Sequence, residues 1–357
     1  MLLQRFAKLL RIDGELMGRR VKFGSIDNVF LFGGGSVLLS VAETLSKKGV
    51  PTLVVTSPRQ VDEILPETGN SFLHELRKLG FDAIITESLK SLSKKELSIS
   101  PSSLGLSFGA AWIFGDSFIK AFSGRLLNFH GRRLPQDRGA AGVTWAILRS
   151  NRVGYCLVHQ VDAGIDTGAI VKYREFFYPA SCRIPVDFQA HYRAELNEFT
   201  REFLDDVWKD CGFCLTEQQE VFSTYWPRLS TEHQGFIDWS WSLADIERFI
   251  CAFDAPFAGA STFINGDRVH LRACFADRGD GSFHPFQTGI VYRKSPQAIY
   301  VAVGSGSLLI RNVVTPEEED YIARIRLGDR FYTPTQCLDE ARRFRAVITS
   351  RGLDSSN

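Results

Sequence analysis

An apolar run at residues 29–32, VFLF, leads directly into Gly33-Gly34-Gly35-Ser36 and then into helical periodicity, with Val37, Val41 and Leu45 on one face before Gly49. A second apolar run, Leu53-Val54-Val55, follows. A strand–turn–helix–strand unit of this kind indicates a parallel α/β sheet. The triple glycine invites a dinucleotide-binding reading. However, Val37 and Leu38 stand where the second half of GxGxxG would fall, and the next strand runs into Thr56-Ser57 with no acid at its end. A tight turn with close helix packing is the better reading.

The alternation continues along the first half. Residues 71–79 read as a helix, 83–85 as a strand, 92–97 as a short helix and 104–111 as a strand ending in small residues. Residues 118–122 read as a helical turn, 126–129 as a strand, 142–148 as a helix, and 154–161 and 169–177 as strands. Over residues 187–208, Phe188, Tyr192, Leu196, Phe199, Phe203 and Val207 form one helical face, so a long amphipathic helix closes the unit. Residues 211–234 are polar and irregular and read as a linker. A helix capped by Ser242, with Asp245 three residues on, comes next. Five short strands with glycine-rich turns follow, including a hairpin signal at Asn265-Gly266, and suggest a small barrel. The expected organisation is an N-terminal extension (1–27), a catalytic domain (28–210), the linker (211–234), a barrel domain (235–330) and a tail (331–357).

Bulk properties exclude several classes. With 44% hydrophobic and 23% charged residues, the 357-residue chain has the composition of a soluble globular protein. Net charge of +1 supplies no global field for a polyanion, which argues mildly against nucleic acid as the main partner. Seven cysteines, an odd number, are poor evidence for a disulfide framework and point to a reduced, cytoplasmic setting. Cys211 and Cys214 form a lone CxxC without a second pair, so no metal site is expected. No apolar run approaches ~18 residues, so no membrane span is expected. The first two dozen residues are basic and amphipathic and read as a surface helix, with Asp13 and Glu15 interrupting the basic face against a targeting peptide.

The chemistry concentrates in residues 126–170. Asn128 and His130 stand two apart at the end of an apolar strand, and Asp166 follows inside VDAGIDTG. An Asn can donate to an oxygen that becomes negative, a neutral His is a base near neutral pH, and an Asp can orient and charge that His. Alone, an Asn-x-His is more often a strand-end turn, and an Asp-Thr-Gly a loop with an Asx-type hydrogen bond. Together, in order, they resemble the catalytic core of the folate-dependent formyltransferases. The matching pieces are Asn128-Phe129-His130, Leu134-Pro135 with Arg138-Gly139, and Asp162-Ala163-Gly164-Ile165-Asp166-Thr167-Gly168. The second half resembles the same enzymes through Tyr225-Trp226-Pro227-Arg228, Ile237-Asp238-Trp239 and Ala252-Phe253 followed by Pro256. The resemblance covers roughly residues 28–345.

It implies a Rossmann-like, parallel-sheet formyltransferase domain followed by a small OB-like barrel, with N10-formyltetrahydrofolate as co-substrate and no metal. It also implies that Gly109, Ala110, Ala111, Trp112 and Ile113 form one wall of the folate slot and Val161, Asp162, Ala163 and Gly164 the other; alternatively, Trp112 and Ile113 are simply buried under the next helix. The amine acceptor divides the family between nucleotide-linked amino sugars and methionyl initiator tRNA. Residues 57–71 are acidic rather than basic, which disfavours a phosphate-backbone clamp, and Gly131, Trp145 and the 328–334 tail look like the sugar enzymes. Arg138-Gly139-Ala140-Ala141 is closer to the tRNA form. The chain departs from both where Arg132-Arg133 replaces the usual Ser-Leu after the His. These two arginines, with Arg138, are candidates to hold a diphosphate, or else belong to a solvated turn. The sugar reading is preferred, with the tRNA enzyme, a 10-formyltetrahydrofolate hydrolase and a non-catalytic nucleotide-binding module as alternatives. By analogy alone, the barrel could dock a second copy as a homodimer.

Overall fold

The computed structural model describes residues 19–92, 97–349 and 352–354. The helix expected at the extreme N-terminus lies largely in residues 1–18, and the one expected over 92–97 runs through 93–96. Both fall outside the described residues.

Seven strands form the first sheet: β1 (Asn28–Gly33), β2 (Thr52–Thr56), β3 (Ala83–Ile85), β4 (Ser103–Phe108), β5 (Leu126–His130), β6 (Val153–Gln160) and β7 (Ile170–Phe177). Their order across the sheet is β3-β2-β1-β4-β5-β6-β7. The first five run parallel, whereas β6 and β7 are antiparallel. The sheet is therefore mixed, mostly parallel. The short loop between β6 and β7 permits only a hairpin, since a parallel crossover needs a dozen or more residues. VFLF is apolar throughout because β1 is covered on both faces: Val29 and Leu31 join one buried cluster and Phe30 and Phe32 the other. Phe108 of β4 stacks on Phe129 of β5 with ring centroids 4.5 Å apart, locking the two central strands in register.

A helix, α1 (Ser36–Lys47), follows β1, and α2 (Gly142–Leu148) lies between β5 and β6. The long helix α3 (Pro185–Trp208) buries Phe188, Leu196, Phe199, Phe203 and Val207, the face its periodicity announces. Residues 20–27, read as part of an extension, fold into this core. Arg20–Val21 pairs with Phe213–Cys214, and the fully buried Phe23 meets Phe203 and Phe213 edge-on.

The second sheet is a curled antiparallel half-barrel of six strands: β8 (Ala260–Ile264), β9 (Asp267–Asp277), β10 (Val291–Ser295), β11 (Ala298–Val303), β12 (Gly306–Val314) and β13 (Phe331–Tyr332), ordered β10-β11-β12-β9-β8-β13. The sequence suggested five strands. The sixth is a two-residue piece of the expected tail, where Tyr332 pairs with Phe263 and Phe331 with Ile264. Asn265 and Gly266 both take positive φ, 54° and 91°, as a two-residue hairpin turn requires. Helix α4 (Leu243–Ala252) packs on this sheet, and its Ser242 cap accepts a hydrogen bond from the Asp245 N–H at 3.2 Å. Ser242→Ala is expected to lower unfolding free energy by about 1 kcal/mol in a urea melt, because the Asp245 N–H loses the cap hydroxyl and keeps only the Ser242 carbonyl at 3.0 Å.

Residues 211–234 are not a free linker. Tyr225–Trp226 pairs in parallel with Arg138–Gly139, so this segment is strapped beneath the end of β5. Among the described residues, no helix is long and apolar enough to cross a membrane.

Candidate active site

Register brings the polar residues together. In β5, Asn128 and His130 are two apart and project from the same face, while Phe129 between them turns into the core. Antiparallel pairing sets Asn128 directly opposite His159 of β6, with Asn128 Nδ2 3.1 Å from His159 Nε2. His159 Nδ1 lies 2.8 Å from the Gln160 carbonyl. A carbonyl only accepts, so Nδ1 carries the proton and the bare Nε2 accepts from Asn128. That leaves one Asn128 amide hydrogen for another acceptor.

Asp166 reaches this pair from the β6–β7 loop, its Oδ1 3.7 Å from both His130 Nδ1 and His159 Nε2. Both are longer than a hydrogen bond but within ion-pair distance. Asp166 itself has φ of 55°, an uncommon value for a side-chain-bearing residue, and several contacts hold it there. Asp162 Oδ1 accepts from the Gly164 N–H at 3.1 Å and the Thr167 hydroxyl at 2.5 Å. Gln218 of the strap donates to the Asp166 and Gly168 carbonyls at 2.9 and 2.8 Å. Gly168 approaches β6 so closely that a Cβ would lie 1.8 Å from the Gln160 carbonyl oxygen.

Electrostatics follow from this burial. Desolvation holds the His130 imidazole below its ordinary pKa, outweighing the attraction of Asp166, so the ring is neutral at physiological pH. Burial pushes the Asp166 carboxyl up, but the two imidazoles and the Gly139 N–H outweigh it, so Asp166 lies below its ordinary value and is ionised. The cluster thus combines a fixed carboxylate, an unprotonated base and an amide donor, a set suited to acyl transfer with proton movement.

His130 opens onto a cavity of about 610 Å³. It lies outside the carboxyl ends of β1 and β4, where connections diverge to opposite sides of the sheet, the usual crevice of an open α/β fold. Gly34, Gly35 and Gly109 form its floor, and Gln60 fixes the Gly109 carbonyl at 3.0 Å.

The structure sorts the remaining candidates. Trp112 and Val161, from the two expected folate walls, pack on one apolar cluster with Ala110, and the buried Trp112 Nε1 has no hydrogen-bond partner. Ile113 is 73% exposed, and Asp162, Ala163 and Gly164 are exposed, with Asp162 occupied in shaping its own loop. Ala111 is half-buried. Of the three arginines, only Arg132 points into the cavity unengaged. Arg133 is exposed and off the cavity lining. Arg138 lines it but is tied to Gln218, Glu220 and Ser223 of the strap. Sequence reasoning missed His159, Gln218, Tyr178 and Tyr192. For His159 there was a signal, the one imidazole ending an apolar strand just before the Asp166 loop; for the others there was none. Among the described residues, no group of three or more His, Cys, Asp or Glu could hold a metal ion.

Comparison with known proteins agrees with this geometry. Residues 90–176, which hold Asn128, His130 and Asp166, match the formyl transferase family, and residues 229–323 match the formyl transferase C-terminal domain. The methionyl-tRNA formyltransferase of Ruminiclostridium cellulolyticum is 27% identical over 248 residues, 68% of this chain and 69% of that protein. The one from Cereibacter sphaeroides is 32% identical over 205 residues, 56% and 62% respectively. In structure, the sugar 3N-formyltransferase WlaRD, solved with dTDP and 5-N-formyl-THF, superposes with a TM-score of 0.60 at 16% identity, covering 81% of this chain and 98% of that one. The N-formyltransferase from Helicobacter canadensis, solved with folinic acid and dTDP-3-aminofucose, gives 0.60 at 17% identity, covering 81% and 99%. With both domains matched and the Asn–His–Asp cluster assembled within the first, this chain belongs to the formyl transferase family.

Proposed function

We propose that this protein moves a formyl group from N10-formyltetrahydrofolate to the amine of a nucleotide-linked amino sugar. The observation that carries this reading is the convergence of Asn128, His130 and Asp166 beside the 610 Å³ cavity. The folate supplies an activated formyl carbon.

The residues divide the work. The free Asn128 amide hydrogen stabilises charge on the formyl oxygen, a contribution worth about 10²–10³ in rate. Neutral His130 takes the proton from the attacking amine and returns it to the departing nitrogen. Asp166 steadies the imidazolium formed in between. Arg59 and Arg228 stand exposed at the cavity mouth, Arg59 attracting Glu63 of the same lining, and add positive charge where an anionic acceptor would enter. The sequence relatives favour the initiator-tRNA alternative, which the same chemistry would serve.

Incubation with N10-formyltetrahydrofolate and either nucleotide-linked amino sugars or methionyl initiator tRNA, following free tetrahydrofolate, separates these readings. Release is expected only with an amino sugar. Release with charged tRNA would select the other acceptor, release without any amine would indicate hydrolysis, and none at all a binding module.

The pH profile is a second test. Because His130 acts unprotonated and its pKa is depressed, kcat/KM should be flat through neutral pH and fall only below the ordinary histidine value of 6.5. In Asp166→Asn the attraction that raises His130 is lost, so the acid limb should move to still lower pH. An acid limb above 6.5 in the wild type would contradict the assignment.

A further inference from the structure

The cavity holds a second feature that the Asn–His–Asp chemistry does not use. Arg132 is only 8% exposed, yet no hydrogen bond or ion pair holds its guanidinium among the described residues. The acid near it, Asp137, is engaged by Arg149 at 2.8 Å. The other groups interacting with it are Arg149, a second positive charge on the same cavity, and the hydroxyls of Tyr178 and Tyr192, which line it too and have no hydrogen-bond partner among the described residues. The Tyr192 hydroxyl sits against the backbone between His130 and Arg132, where a Cβ on Gly131 would lie 2.9 Å from it. Gly142 leaves room for the guanidinium, as a Cβ there would come within 2.6 Å of Arg132 Nε.

A buried guanidinium without an anion is costly, several kcal/mol in effective desolvation, so a site that keeps one is built for an anion that arrives with the ligand. Arginine and phenol hydroxyls at neutral pH offer donors; burial holds the Tyr178 hydroxyl protonated, its pKa raised to about 12. We infer that Arg132, Tyr178 and Tyr192 form a receptor for an oxyanion carried by the amine acceptor itself, placed two residues along from the base His130. The substrate class is then an amine and a phosphate or carboxylate on one small molecule, with the phosphate of a nucleotide-linked sugar as the expected source. The inference rests on the reading of this cavity as the acceptor site.

Thermal shift tests it directly, using inorganic pyrophosphate and malonate as probes on the full chain. Pyrophosphate should raise the Tm of the wild type and not that of Arg132→Met. The unliganded Arg132→Met protein should melt no lower than wild type, because an uncompensated charge has been removed; a structural arginine would give the opposite. Stabilisation by malonate but not pyrophosphate would keep the receptor and assign a carboxylate. Should Arg132→Met fail to fold, Gly142→Ala, which crowds the guanidinium without removing its charge, should likewise abolish the shift. In turnover, Arg132→Met should raise the acceptor KM about 10–100-fold, with a smaller effect on kcat. No pyrophosphate or malonate shift in the wild type, or an equal shift in Arg132→Met, overturns the receptor even if formyl transfer is observed. An Arg132-dependent shift without tetrahydrofolate release with any amine supports the receptor and removes the formyl-transfer reading instead.

Discussion

Replacing His130 by glutamine is expected to lower kcat for formyl transfer by about 10²–10⁴-fold while leaving the melting temperature near that of the wild type. The two expectations come from the same geometry. His130 makes only long contacts, 3.7 Å to Asp166 and 3.4 Å to the Asp137 carbonyl, so glutamine forfeits little packing or hydrogen bonding. What it removes is the bare ring nitrogen that receives the amine proton. Since burial already keeps His130 neutral, raising the pH should not rescue the variant. A loss of activity that tracked a loss of folded protein would assign His130 a structural part.

Gly168→Ala is the second large effect, and it acts on both stability and rate. The added methyl would lie 1.8 Å from the Gln160 carbonyl oxygen, a backbone atom that cannot swing aside. Either β6 and the Asp166 loop separate or the loop rebuilds. Overpacking of this kind costs about 1–3 kcal/mol. Rebuilding also breaks the Gln218 bonds to the Asp166 and Gly168 carbonyls, so the carboxylate leaves its position between the two imidazoles. The expected result is a lower denaturation midpoint together with a rate loss comparable to that of Asp166→Asn. A variant with unchanged midpoint and full activity would show that the close approach at Gly168 is not needed.

These effects show which parts of the site the sequence could announce. Asn128 and His130 were legible because their spacing on one strand fixes a shared face. Asp166 was legible because glycines flank it in a recognisable loop. Gly168 stands where the chain closes on the Gln160 carbonyl, and Gly164 where it closes on the Thr167 side chain. His159 depends on antiparallel register between β5 and β6, and a sequence read as wholly parallel gives no reason to set it opposite Asn128. The strap was misjudged for a related reason. Gln218, Glu220 and Ser223 are polar and look solvated, yet their work is to clamp Arg138 and the Asp166 loop, contacts of long sequence separation that leave no periodic trace. Arg132 and Arg133 were indistinguishable as a dipeptide. Continuing the alternation of β5, one turns into the cavity behind His130 and the other out to solvent. In the second domain, Phe331–Tyr332 reads as tail because two residues carry no strand signal; pairing with β8 alone makes them a strand.

The claim on which the rest depends is that Asn128, His130 and Asp166 act as one unit on one carbon. The most direct measurement is the rate of tetrahydrofolate release in Asn128→Ala, His130→Gln, Asp166→Asn and the triple variant, all with the same acceptor. Groups acting together give strongly non-additive losses. The triple variant should therefore be about as slow as His130→Gln alone. Losses that multiply across the three positions would mean that the side chains work independently, contradicting the site described above.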